Sequence, residues 1–210
     1  ICAGYKQHVI KEYFADYFLH TSDITYDFTN GRNEMTVHHN TSEPWKVTVV
    51  DTGLNTMTGG RVKRVRDYIG DEPFLLTYGA GVSDLDITEL LKFHRAHGKL
   101  VTMSAYNAGQ RFGVLDMDSS GQIREFREKT QGDGSLINIG FMVCQPEFIN
   151  YIDGDETVLE KTPLEAVAKQ GQLMAYKHTG FWQCMDTVRE KETLEKLWAA
   201  GQAPWKVWVD

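Results

Sequence analysis

The chain has 210 residues, 41% hydrophobic and 24% charged, which is ordinary globular composition with ample length for one domain and its core. A formal charge of −7 argues against a protein that coats nucleic acid, while leaving room for a local site for a small anion. Cys2, Cys144 and Cys184 are far apart with no CxxC pair, which argues against disulfide scaffolds and structural zinc and for reduced thiols in the cytoplasm; no apolar run reaches the ~18 residues of a membrane span, and no secretory signal is present.

Ile1-Cys2-Ala3-Gly4 reads as the end of a strand, and with no initiating Met we expect further sequence upstream. Residues 6–19 carry Val9, Ile10, Tyr13, Phe14 and Tyr17 at helical spacing. Asn30-Gly31-Arg32-Asn33 is a turn, and residues 37–39 and 45–50 read as short strands. A glycine-rich segment follows, then a helix over about 61–68. Residues 74–77 read as a strand with the apolar run Phe74-Leu75-Leu76, as expected at the centre of a parallel sheet, and lead into a glycine-flanked turn. Asp86 is placed to cap a helix over 87–97, with Glu89 as capping-box partner and Gly98 as the stop. Residues 101–106 form another strand. Residues 113–118 and 122–128 alternate across Ser119-Ser120-Gly121, which predicts a hairpin. A strand over 137–143, a short helix over 147–152, a helix over 163–169 and a strand over 173–176 follow. Asp186 or Thr187 starts a last helix that runs to Trp198. Alternating strands and helices predict one α/β domain with a mostly parallel sheet and a β-hairpin insertion.

The most informative stretch is residues 51–64, where Gly53, Gly59 and Gly60 are interspersed with Thr52, Asn55, Thr56 and Thr58 between an apolar run and a basic helix. Such a segment can bring bare backbone N–H groups to an anion or a base edge. Ligands of open α/β sheets sit outside the carboxyl ends of strands. Three polar clusters are expected there: Thr77-Tyr78-Gly79-Ala80-Gly81, Glu128-Lys129-Thr130 and residues 182–187.

Lys129 can neutralise a phosphate as a point charge, or be a solvated surface lysine. Asp186 can cap the following helix, bind Mg²⁺, or do both. Arg61, Lys63, Arg64 and Arg66 form either a phosphate-facing patch or a solvated helix face. His38 and His39 face opposite sides of a strand and share no metal site. His94 and His97 share a helix face without a third ligand and are read as solvated. Neither a Walker-type loop nor GxGxxG is present.

Through these residues the chain resembles the sugar-nucleotide pyrophosphorylases, most closely their glucose-1-phosphate cytidylyltransferase branch. The matching runs include Gly4-Tyr5-Lys6, Val50-Asp51-Thr52-Gly53, Met57-Thr58-Gly59-Gly60-Arg61, Thr77-Tyr78-Gly79, Ile137-Asn138, Gly180-Phe181-Trp182-Gln183, Met185-Asp186-Thr187 and Ala203-Pro204-Trp205-Lys206. The resemblance implies a Rossmann-like sheet of the nucleotide-diphospho-sugar transferase type. It implies cytidylyl transfer from CTP to glucose 1-phosphate with Mg²⁺, in a homo-oligomer without nucleic-acid or membrane partners. It places Thr56, Thr58, Gly59, Gly60 and Arg61 near the nucleotide, with Arg61 and Lys129 as catalytic cations and Lys129 on the sugar phosphate. Tyr78 and Gly79 line the pocket, Glu128 and Asn138 hold sugar hydroxyls, and Asp186 binds the metal.

The sequence departs from the pattern in four places. The family's N-terminal strand and Gly-rich triphosphate loop are absent, so residues 1–210 are expected to be one N-terminally truncated domain with impaired activity. Ala80 stands where the family has a second metal-binding aspartate, and a methyl group cannot coordinate magnesium. Thr130 replaces a proline. Ile139 replaces a glycine and is expected to crowd the sugar pocket.

Overall fold

Strand-forming and helix-forming runs alternate much as expected in a computed structural model, which describes residues 1–107, 114–117, 123–127 and 136–208. The chain divides into two compact units, Ile1–Gly70 with Ile149–Pro163, and Asp71–Phe148 with Leu164–Asp210.

In the first unit, β1 (Cys2–Ala3) and β4 (Val50–Asp51) pair in parallel. Thr52 extends the pairing, because its N–H and its hydroxyl both donate to the Ala3 carbonyl, at 2.8 and 2.9 Å. Between these strands lie α1 (Gln7–His20) and an antiparallel ribbon of β2 (Ser22–Asp27) and β3 (Glu34–Asn40). The ribbon reverses through Thr29–Gly31, where Asn30 and Gly31 take the positive φ values a tight reversal requires. The strand expected over 45–50 is corrected: only Val50–Asp51 is extended in a ladder, and Trp45 is 61% exposed. Apolar alternation without a neighbouring strand makes no ladder. Two short helices, α2 (Thr58–Arg64) and α3 (Arg66–Ile69), close the segment.

The second unit contains β5 (Phe74–Leu76), β6 (Gly81–Ser83), α4 (Ile87–His97), β7 (Val101–Tyr106), β8 (Val114–Met117) and β9 (Ile123–Arg127). It continues with β10 (Ile137–Asn138), β11 (Met142–Cys144), the part of α5 (Thr162–Lys169) from Leu164 onward, β12 (Leu173–His178), β13 (Trp182–Cys184) and α6 (Val188–Ala199). β7 pairs in parallel with β12 along one edge and antiparallel with β10 and β11 along the other, and β11 pairs antiparallel with β5. Hence β5, β7 and β12 share one direction and the β10–β11 segment opposes them. β8 and β9 pair as the expected hairpin, and β13 forms an antiparallel ribbon with β6.

Two expectations change here. β5 is the outer strand of its sheet rather than a central one, and Leu75 is 52% exposed. The single strand expected over 137–143 breaks into β10 and β11, because Gly140 and Phe141 both take positive φ and turn the chain.

α4 begins as the sequence indicates, with Asp86 Oδ1 accepting from the Glu89 N–H at 3.0 Å. The Glu89 carboxylate pairs with Lys92 Nζ at 2.6 Å, so the box has only its first half. Gly98 stops the helix in the left-handed conformation. Leu85, Leu90 and Val143 form a core cluster, packed by Ile87, Leu91, Phe141 and Tyr176. No helix among the described residues is long and apolar enough to cross a membrane.

The solvated reading of the α4 histidines is overturned. His94 is 1% exposed. Its Nδ1 lies 2.8 Å from Thr102 Oγ1 and its Nε2 lies 3.0 Å from Gln145 Nε2. His97 Nε2 reaches the same Thr102 hydroxyl at 2.7 Å, while its Nδ1 accepts from the Lys99 N–H. This pattern assigns neutral rings, with the proton on Nδ1 of His94 and on Nε2 of His97. Burial, then the charges of His97 and Arg95, hold the His94 imidazole below its ordinary value. Above about pH 6.5 the ring is neutral both folded and unfolded. As pH falls below that point the unfolded chain gains a proton that the folded chain resists, so stability drops. We therefore expect the urea midpoint to decrease between pH 7.5 and 5.5. His94→Gln should cost about 1–3 kcal/mol at pH 7.5 and make the acid-side decline shallower.

Candidate active site

The glycine-rich segment 51–64 forms a node in the first unit. Asp51 Oδ1 accepts from the Gly53 N–H at 2.9 Å, which folds the chain back at the carboxyl end of β4. Hydrogen bonds from the Gln7 side chain and then the Gly53 amide hold the Asp51 carboxyl below its ordinary value. α2 then starts without a side-chain cap. Its free amides are taken by main-chain carbonyls: Met57 N–H donates to Asp155 O at 2.8 Å, and Gly59 and Gly60 donate to Thr157 O at 2.9 and 3.3 Å.

The amides of Met57, Gly59 and Gly60 are thus not bare. The glycines allow this close approach, since a Cβ at Gly59 would lie 2.7 Å from Thr157 O and one at Gly60 2.6 Å from Asp155 Cα. Thr58 Oγ1 donates to Glu160 Oε2 at 2.7 Å and accepts from the Leu159 N–H at 2.9 Å. Thr56 is buried.

Arg61 is half-buried and turns back to the strand ends. Its Nη1 donates to Thr52 Oγ1 at 2.7 Å and its Nη2 to Leu54 O at 3.2 Å. A Cβ at Gly4 would come within 2.5 Å of Nη1, so only glycine admits the guanidinium there. The neighbouring cations are also engaged. Lys63 donates to the carbonyls of Ile152 and Asp153, Arg64 pairs with Asp155, and Arg66 donates to Gly70 O.

In the second unit Tyr78 and Asn138 come together: Asn138 Nδ2 donates to the Tyr78 hydroxyl at 3.2 Å. Asn138 Oδ1 accepts from the Gly140 N–H at 2.9 Å, which holds its amide on the bend after β10. A Cβ at Gly79 would meet nothing within 4 Å, so open space lies beside it. Ile139 is 3% exposed, whereas Asn138 is exposed. The isoleucine therefore fills the interior instead of standing out beside the candidate sugar ligand.

Ser83, Asp84 and His178 also cluster, but Ser83 Oγ and Asp84 Oδ1 both face the same ring nitrogen, Nε2, at 3.1 and 3.0 Å. A hydrolase relay needs the two on opposite nitrogens. Asp84 is further occupied by the Phe181 N–H at 2.7 Å.

The third cluster is at the end of β13. Thr187, not Asp186, is the N-cap of α6: its Oγ1 accepts from the Glu190 N–H at 3.2 Å. Glu190 Oε2 accepts from the Asp186 N–H, the Thr187 N–H and the Thr187 hydroxyl at 3.0, 2.9 and 3.1 Å. Desolvation pushes the Glu190 carboxyl up, but the Thr187, Cys184 and Asp186 hydrogen bonds outweigh it and hold the carboxyl below its usual range.

The exposed Asp186 carboxylate is left uncommitted by helix capping. Side-chain ligand atoms of Cys184, Asp186 and Glu190 lie within 4.8 Å of one another. Burial pushes the Cys184 thiol up, so it stays protonated and is no ligand for a hard cation. Asp186 is a hard oxygen donor of the kind Mg²⁺ takes together with phosphate oxygens. Ala80 closes the same end of the β6–β13 ribbon, through Met185 N–H to Ala80 O at 2.8 Å. With Glu190 committed to the start of α6, Asp186 is the carboxylate of this cluster, among the described residues, that fits a magnesium site, with a methyl group at the adjoining position.

Glu128, Lys129 and Thr130 lie outside the described residues. The tryptophan-rich tail folds onto its own unit, with Trp205 stacked on Phe181 and Trp208 near Trp198. Glu160 and Glu190 are not among the residues singled out from the sequence. For Glu190 the signal was available, because Thr187 and Glu190 are spaced as a capping box.

The chain belongs to the nucleotidyl transferase family, whose profile matches residues 7–198. It is 56% identical over 209 residues to the glucose-1-phosphate cytidylyltransferase of Salmonella typhi, covering 99% of this chain and 80% of that protein. Among solved structures it resembles HddC from Yersinia pseudotuberculosis complexed with GMP-PN. The TM-score is 0.57 at 18% identity, over 93% of this chain and 76% of that one. It also resembles UDP-glucose pyrophosphorylase complexed with UDP-glucose, with TM-score 0.54 at 16% identity over 73% and 66% of the two chains. At these identities the structural likeness concerns the fold.

The contact of α2 with residues 155–157 gives a direct prediction. Gly59→Ala places a methyl group against the Thr157 carbonyl and should destabilise by about 1–3 kcal/mol. Gly79→Ala, with open space around it, should change stability by less than about 1 kcal/mol. Urea denaturation of the two variants measures the contrast.

Proposed function

We propose that the protein transfers the cytidylyl group of CTP to glucose 1-phosphate, giving CDP-glucose and pyrophosphate. The observation that carries this reading is the near full-length similarity to a glucose-1-phosphate cytidylyltransferase. A phosphate oxygen of glucose 1-phosphate attacks the α-phosphorus of CTP in line. The new P–O bond forms as the bond to the β-phosphate oxygen breaks, and pyrophosphate leaves. No covalent intermediate on the protein is needed, so positioning and charge neutralisation carry the catalysis.

On this reading Lys129 neutralises the sugar phosphate, and Glu128 with the Tyr78–Asn138 pair orients sugar hydroxyls. Residues 56–60 form a rigid floor for the nucleotide, held by the 155–157 carbonyls, with Arg61 beside them. Asp186 would hold a magnesium ion, which when bound supplies charge neutralisation on the phosphates. The reaction suits the cytoplasm, as do three free thiols.

Ala80 favours a second reading, a homologue that binds the sugar nucleotide without efficient turnover. One carboxylate instead of two would hold the magnesium less firmly, so less of the phosphate charge would be neutralised.

We also infer that copies of the chain associate. α1 buries none of its 14 residues, and every residue of β3 is exposed. Tyr13, Phe28, Trp45 and Val37 stand out on these elements and the adjoining loops. A two-stranded ribbon with exposed apolar side chains gains stability by being covered.

Pyrophosphate release from CTP, glucose 1-phosphate and Mg²⁺ tests the activity. We expect slow turnover by the chain, at least about tenfold faster turnover by Ala80→Asp, and loss in Asp186→Asn. Release by no variant, with tight magnesium-independent binding of CDP-glucose, would establish the second reading instead. Sedimentation velocity tests association. The chain should sediment as an oligomer, and Val37→Glu should shift it toward monomer, since a charge buried in such a contact costs several kcal/mol.

A further inference from the structure

We propose that Glu190 is a positioning residue for the cation ligand Asp186, in addition to capping α6. This rests on the reading of Asp186 as the carboxylate that holds magnesium.

Asp186 follows β13, whose last residue, Cys184, is still in the ribbon with Gly81. The chain leaves that ribbon at Met185 and enters α6 at Val188, so Asp186 sits in a three-residue junction. Short junctions of this kind have freely rotating peptides unless something holds them. The Ala80 carbonyl fixes the Met185 amide. Beyond it, a single carboxylate fixes everything that follows: Glu190 Oε2 takes the amides of Asp186 and Thr187 and the Thr187 hydroxyl. Its other oxygen, Oε1, accepts from Cys184 Sγ at 3.5 Å, tying the same group to the end of the strand.

An ordinary capping box asks Glu only to reach the N-cap amide, here that of Thr187. The extra bonds to the Asp186 amide and to Cys184 go beyond that, and together with the Thr187 amide they bracket the proposed ligand in the chain. They hold the peptides on both sides of Asp186 and hence the direction of its Cα–Cβ bond, from which the carboxylate projects. Outer partners of this kind commonly govern metal affinity as strongly as weak ligands do. They matter most where one carboxylate serves the cation, because no second protein ligand corrects a misplaced first. Ala80 creates that circumstance here.

The test measures the dissociation constant of CTP for the full chain by isothermal titration calorimetry, with saturating Mg²⁺ and with EDTA. The ratio of the two affinities reports the cation alone, whereas general damage to the fold weakens both equally. Asp186→Asn should bring the ratio to about one. Glu190→Ala should lower the wild-type ratio about tenfold or to one, the range in which partners of metal ligands act. Glu190→Gln keeps an acceptor oxygen of the same reach and should stay within about threefold of wild type. Thr187→Ala is the control for helix capping: it should lower Tm while leaving the ratio unchanged, because the Asp186 amide keeps its bond to Glu190.

An unchanged ratio in Glu190→Ala, or an equal loss in Thr187→Ala, overturns the positioning role. Loss in Glu190→Gln as complete as in Glu190→Ala would make the charge of Glu190, not its hold on the junction, the operative property, and also overturns it. A ratio that Asp186→Asn leaves at the wild-type value overturns the metal reading itself, and the positioning role with it.

Discussion

The geometry of the second unit depends on β7, a strand used along both edges. Its parallel edge carries β12, and its antiparallel edge carries β10 and β11 in succession. A strand in this position is enclosed on both faces, and Val101, Thr102, Ser104 and Ala105 are all buried. The two polar side chains among them are each satisfied. Thr102 meets the two histidines of α4, and Ser104 Oγ donates to Phe141 O at 2.7 Å while its carbonyl accepts from the Ile139 N–H. These bonds fasten the bend between β10 and β11. Asn138 lies opposite Ala105 because of that register, and a slip of one residue would turn it to the other face.

The first unit depends on a different constraint, the near contact of two backbones. α2 has no capping side chain, so its first amides need acceptors. Residues 155–157 supply them as carbonyls, and Gly59 and Gly60 remove the side chains that would hold the two segments apart. A glycine pair that reads in sequence as access for a ligand is, in the folded chain, access for the protein's own backbone. The two uses are not exclusive, since rigid backbone beside a strand end is a good surface for a base. The cations of α2 follow the same logic: a helix whose amides meet an acidic loop draws Lys63 and Arg64 onto that loop.

What sequence made legible were features governed by neighbours close in the chain. The helix starting at Asp86 and stopping at Gly98, the antiparallel pairing of β8 with β9 and the α/β alternation all rest on local periodicity or capping. The failures depend on partners far away. Residues 45–49 have strand composition and no strand to pair with. Residues 74–76 have the composition of a central strand and occupy the rim of their sheet, because the reversed segment β11 lies between them and β7. His94 has the helical position of a surface residue, but Thr102 and Gln145 arrive from elsewhere to receive it. Ile139 is expected to crowd a pocket because it stands where the family has glycine, yet its side chain is buried in the interior. For the candidate site, residue types marked the Thr77–Gly81 cluster and Asp186, and the family resemblance added Asn138. The bonds that orient them became visible only in the fold.

The end of the β6–β13 ribbon concentrates the chemical question. A helix start usually consumes the nearest carboxylate, and Asp186 is adjacent to one. Here Thr187 and Glu190 satisfy the first amides between them, so Asp186 stays available beside the positive end of α6 without being spent on it. A carboxylate at position 80 would add a second negative group to the same ribbon end. With alanine there, a cation at Asp186 would draw further oxygen ligands from phosphates or water. On the proposed reading, cation and nucleotide would then depend on each other more strongly than in a site with two carboxylates. On that reading alanine in place of a carboxylate would change the coupling between ligands as well as the strength of either, and the rigidity of the junction around Asp186 would set how much of that coupling survives.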